Sequence, residues 1–192
     1  MNVIPFERFF ELLLESSLSK KLIDLFEIGR PNANHYLIAK LAKAGLIKTI
    51  CTTNFDLLIE ECLNNEDLIR ERDYKIFYKE EEFDSINRND DCIRLIKIHG
   101  SVEDKESMAV TLKRVAGNDL SAQRKGVIDH VFSKGRHNNV LVLGYSCSDI
   151  FDINPQIESI NTDLNNVIFI EHNNISKMPL KSLKQMIIKV CL

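Results

Sequence analysis

Four short apolar runs, "LIKTICTT", "IRLIKIHG", "NVLVLGYS" and "NVIFIEHN", recur along the chain, with helix-period segments between and around them. Runs this short and this rich in β-branched residues read as strands buried on both faces. Strands separated by helices pair in parallel, because a parallel connection must cross over and a helix supplies the crossover. The expected fold is therefore α/β, a parallel sheet with helices on both faces.

The intervening segments carry helix signals. Phe6, Phe9, Phe10, Leu13 and Leu14 recur at three- and four-residue spacing in residues 5–17, and residues 20–27 read as a second, short helix. Residues 30–45 open with Pro31 and Asn32 and close at Gly45, which are helix start and stop signals. Further helices are expected over 55–63, over 120–135 despite Gly126, over 148–160, and over 180–188 at the end of the chain. Between the first two strands, "YKIFY" reads as a weaker strand, and the run Glu80, Glu81, Glu82 as a solvated loop. The reading is a single domain over 1–192, with 57–92 and 101–139 as variable, insert-like segments.

Composition excludes several classes. With 44% apolar and 28% charged residues the chain reads as an ordinary globular protein. A net charge of −3 argues against a broad nucleic-acid surface. The five cysteines are scattered and never form a C-x-x-C pair, so neither disulfides nor zinc is expected. No apolar run approaches bilayer-spanning length, and the start lacks a cleavage pattern, so a cytoplasmic location without membrane contact is expected.

The polar residues gather where the strands end. Thr53, Asn54 and Asp56 follow the first strand, His99, Gly100 and Ser101 the second, Gly144 and Ser146 the third, and Glu171 the fourth. In a parallel sheet these ends share one edge, where open α/β sheets bind ligands. Each residue also has a local explanation: Asn54 and Asp56 as helix caps, His99 as a packed histidine, and "GYSCSD" as a strand-to-helix turn.

Taken in order, "PNANHYLIAKLAKAGLIKTICTTNFDLL", "KIHGS" and "LGYSCSD" resemble the sirtuin fold, in the form of the sirtuin-like NAD-consuming domains of bacteria. The resemblance spans roughly residues 31 to 172 and implies a Rossmann-like sheet that binds NAD at its strand ends and breaks the nicotinamide–ribose bond. By that resemblance Asn54 and His99 are catalytic: Asn54 orients the ribose and a water, and His99 handles protons at the ribose hydroxyls. Thr53, Asp56, Gly100, Ser101, Gly144, Ser146 and Glu171 would contact NAD: Asp56 shapes the nicotinamide pocket, Gly144 admits the backbone to the dinucleotide, Ser146 donates to phosphate or ribose, and Glu171 meets the adenosine ribose. The chemistry asks for such groups. Loss of nicotinamide leaves positive charge developing on the ribose, which oriented dipoles stabilise. Imidazole accepts protons near neutral pH, and Asn offers both a donor and an acceptor. NAD is the expected substrate, and no metal is required.

The chain departs from the family's pattern twice. Zinc-ribbon sirtuins carry two C-x-x-C pairs after His-Gly, and residues 101–139 contain no cysteine, so NAD hydrolysis is favoured over protein deacylation. Many bacterial domains without the ribbon act in antiviral defence by draining NAD, which implies a homo-oligomer or further defence domains or proteins as partners. The family also opens with a strand leading into a Gly-Ala-Gly loop, yet the seven glycines here form no G-x-G. The first strand is therefore expected to be missing, through a late start, a truncated inactive gene or a rearranged sheet. A module that binds NAD or ADP-ribose without cleaving it, and a remnant serving as a protein scaffold, are the other readings.

Overall fold

A computed structural model describes residues 23–87, 90–106, 108, 121–133, 139–144, 166–171 and 187–191. The helices expected over 5–17 and 148–160, and Ser146, lie outside these residues. The chain divides into two compact units, Met1–Asp119 and Leu120–Leu192. All described strands pair in parallel, three in each unit.

In the first unit the described residues begin within the short helix expected over 20–27: Ile23 and Asp24 are helical and a 3-10 turn, Leu25–Glu27, ends it. Helix α1 (Ala33–Lys43) follows, and Asn32 caps it: its Oδ1 accepts from the amides of Asn34 at 3.0 Å and His35 at 3.4 Å. His35 returns the favour, its Nδ1 accepting from the Asn32 amide at 3.1 Å, so the Asn–His pair closes a capping box. Strand β1 (Thr49–Thr52) leads to helix α2 (Leu58–Asn65), which begins three residues later than its sequence pattern implied. Strand β2 (Tyr74–Phe77) confirms the weak "YKIFY" signal. The acidic run is not a loop but a 3-10 turn, Glu80–Ser85, because Glu82 Oε2 accepts from the amides of Tyr78 and Lys79 and so winds the chain. Strand β3 (Ile93–Lys97) completes the sheet.

The order β1-β3-β2 puts β3 in the centre, and all five of its residues are buried. Register sets Ile50, Leu95 and Ile76 in one row across the sheet. That row packs under α1 and α2 with Ala39, Ala42, Ile59, Cys62 and Leu63. Tyr74 adds a polar tie on the same side, its hydroxyl donating to Asn64 Oδ1 of α2 at 2.8 Å. On the opposite face Arg94 is buried, and its guanidinium donates to Thr49 Oγ1 at 3.2 Å and to the Asp90 carbonyl at 3.0 Å, closing the loop before β3.

The second charged residue of β3, Lys97, lies on the helix-covered side. Its ammonium donates to Glu60 Oε1 of α2 at 2.8 Å, and the two side chains are 1% and 8% exposed. Burial pushes the Glu60 carboxyl up from its ordinary 4.5, against the downward pull of Lys97.

The second unit holds helix α3 (Ala122–Phe132) and strands β4 (Asn139–Leu143), β5 (Asn166–Glu171) and β6 (Ile187–Cys191), in the order β4-β5-β6. Ser121 caps α3, its Oγ accepting from the Arg124 amide at 3.3 Å. The expected closing helix is corrected at its end. Ile187 and Ile188 belong to β6, where "IIKVC" pairs with residues 167–171 of β5, because a run dominated by β-branched residues fits a strand beside another better than a helical turn.

Two outcomes follow from the buried pair. Lys97→Met should lower unfolding free energy by about 3–5 kcal/mol, whereas Lys97→Met with Glu60→Leu should return to within about 1 kcal/mol of the parent. In the single variant the Glu60 carboxyl, raised by burial and relieved of Lys97, binds its proton more tightly folded than unfolded. Its contribution is therefore intact below pH 4.5 and lost as pH rises through the raised value, so the penalty should grow with pH in denaturant titrations.

Candidate functional site

Strands β1 and β3 are neighbours, so the turns that leave their carboxyl ends start side by side. Main-chain hydrogen bonds hold them together beyond the strands. The Ile98 amide donates to the Thr52 carbonyl at 3.0 Å, and the Val102 amide to the Phe55 carbonyl at 3.0 Å. Lys97 Nζ also donates to the Asp56 carbonyl. Thus Thr53, Asn54 and Asp56 come together with His99, Gly100 and Ser101.

The hub is Phe55, which the sequence reading passed over although it is the one aromatic in a polar turn. It is buried with Ile23, Val102 and Met108, meets the Phe26 ring edge-on at 5.0 Å, and stacks on His99 at 6.1 Å between centroids, 30° apart. His99 is 7% exposed, so its ring is held against an aromatic wall. Asn54 is exposed, its main-chain N–H donating to Thr52 Oγ1 at 3.1 Å. Asn54 is therefore solvent-facing on its turn, while the imidazole on the neighbouring turn is buried.

Asp56 is partly spent on local structure. Its Oδ1 accepts from the Leu58 amide at 3.1 Å, satisfying a free donor at the start of α2. Ser101 is fully buried, and its Oγ accepts from the Glu103 amide at 3.4 Å. The following turn is pinned by Arg70 Nη1 on Glu103 Oε1 at 2.7 Å and by Lys79 on Asp104 at 3.5 Å. Gly100 has φ +97°, and a Cβ there would stand 3.2 Å from Met108 Cα, so conformation and space both demand glycine.

In the second unit Gly144 follows β4 with φ +66° and open space around it, and Glu171 ends β5. Both stand at carboxyl ends of parallel strands, as expected. Among the described residues no group of three or more His, Cys, Asp or Glu side chains is arranged to hold a metal, and no helix is long and apolar enough to cross a membrane.

Parallel α/β units with polar residues at their strand ends define a Rossmann-like class of ligand-binding fold. Within that class the chain belongs to the SIR2-like domain family, whose family model matches residues 48–190. A NAD-related function comes with that membership. No curated protein sequence matches the chain.

Gly100→Ala should cost more than about 1 kcal/mol, because it meets both a left-handed backbone and the Met108 main chain. Gly126→Ala, inside α3 with nothing within 4 Å of the new methyl, should instead add about 0.5–1 kcal/mol. Thermal denaturation of the two variants checks the contrast.

Proposed function

We propose that this chain hydrolyses NAD, cleaving the bond between nicotinamide and ribose to give nicotinamide and ADP-ribose. The observation that carries the reading is the coupling of the Asn54 and His99 turns at the ends of neighbouring parallel strands. Asn54, exposed, has an amide that can hold a ribose hydroxyl and a water at once. His99 accepts a proton from the ribose hydroxyls, its ring set by Phe55. Thr53, Asp56, Gly100, Ser101, Gly144, Ser146 and Glu171 are the proposed contacts to the dinucleotide. NAD supplies the scissile bond and a good leaving group, and the protein supplies orientation and a polar cleft for the developing positive charge. Draining of NAD in antiviral defence, alone or with partner domains, is the biological role proposed for that activity.

One sequence feature favours a second reading. Without a G-x-G loop, a feature that cradles pyrophosphate at a helix start in related folds, the chain would bind NAD or ADP-ribose without turnover.

Incubation of the purified chain with NAD, with nicotinamide and ADP-ribose quantified by chromatography, separates the two. Hydrolysis predicts release that Asn54→Ala and His99→Ala each reduce by at least about 100-fold, in the range general acid–base groups contribute. Thermal stabilisation by ADP-ribose with no nicotinamide release would establish the binding module instead.

A further inference from the structure

Lys97 ends β3 two residues before His99, on the same side as Ile93 and Leu95, and its side chain is 1% exposed. Burying an ammonium there carries a desolvation penalty that Glu60 offsets only in part, and an apolar pair of similar volume would serve stability as well or better. What an apolar side chain lacks is a donor. The ammonium offers three N–H groups; one meets Glu60 Oε1 and another the Asp56 carbonyl.

The Asp56 carbonyl is the telling partner. Phe55 and Asp56 present consecutive carbonyls in the turn that carries Asn54, and both are gripped from the end of β3: Phe55 by the Val102 amide, Asp56 by Lys97. The two grips flank His99 in the chain. They therefore fix the Asn54 turn against the very segment that holds the histidine.

We propose that Lys97 is a positioning residue, which through the Asp56 carbonyl sets the Asn54 turn relative to His99, with Glu60 holding its ammonium in place. The inference rests on the NAD-hydrolysing reading for its catalytic consequence, but not for its structural one. Lys97 itself touches no substrate in this scheme.

The test compares the full parent chain with Lys97→Met/Glu60→Leu, which keeps the volume and removes the donor, and with Glu60→Gln, which keeps the donor. Amide hydrogen exchange should be at least tenfold faster at Leu58 and Val102 in the double variant, with Leu95 and Ile96 of β3 unchanged, and close to parental in Glu60→Gln. On NAD, kcat should fall at least tenfold in the double variant with KM within about twofold, and Glu60→Gln should retain most of the parental kcat. Parental exchange at Leu58 and Val102 in the double variant overturns the proposal, as does a loss confined to KM. If the parent releases no nicotinamide, the hydrolysis reading fails and the exchange comparison still decides the role of Lys97. Should the double variant not fold, Lys97→Gln/Glu60→Gln replaces it, since paired amides satisfy each other but fall short of Asp56.

Discussion

Burial of β3 on both faces is the constraint from which the rest of the first unit follows. A central parallel strand has no solvent side, so every polar group on it must find a partner inside the protein. Arg94 takes Thr49 and the carbonyl before its own strand, and thereby closes the preceding loop. Lys97 takes Glu60 and Asp56, and thereby ties α2 and the turn after β1 to the sheet. His99, still buried one turn later, lies against Phe55. The order in this unit is the sum of these obligations.

That same constraint joins stability to chemistry. A parallel pair brings the β1 and β3 ends together without any special sequence, but adjacency alone leaves two turns free to move independently. The hydrogen bonds from Ile98, Val102 and Lys97 remove that freedom, and Phe55 adds ring contacts, edge-on with Phe26 and stacked with His99. Asp56 Oδ1 goes into the start of α2, and Asn54 is the most exposed polar residue of the turn. The exposed side chain of Asn54 and the buried ring of His99 thus sit on turns that the main chain holds together.

Much of this was legible beforehand. All four expected strands exist, because β-branched runs bounded by polar residues leave little choice between strand and helix. The start of α1 at Asn32 was readable from Pro31, Asn32 and the helical pattern after them, and the return bond from His35 was not. At the chain end only Ile187 and Ile188 depart from the expected helix: "LKSLKQMII" mixes a helix-like spacing with a final β-branched pair, and pairing with β5 decides that pair for the strand. The start of α2 was placed early because Phe55 mimics the first apolar residue of a helix, when its ring is needed in the cluster with Val102 and Met108.

The buried pair marks the boundary between the two sources of information. A lysine inside "IRLIKIHG" and a glutamate beside the apolar stripe of α2 are both visible as anomalies, but thirty-seven positions separate them and nothing local links one to the other. The sequence by itself determined the four main strands and most of the helices, that the strands run parallel, and that Asn54 and His99 stand at strand ends, since these depend on periodicity and chain direction. The tertiary structure alone decided that β3 lies between β1 and β2, that Lys97 reaches Glu60 and Asp56, and that Phe55 backs His99. Those outcomes depend on strand order and on the need to satisfy buried charge, which exist only once distant segments have packed.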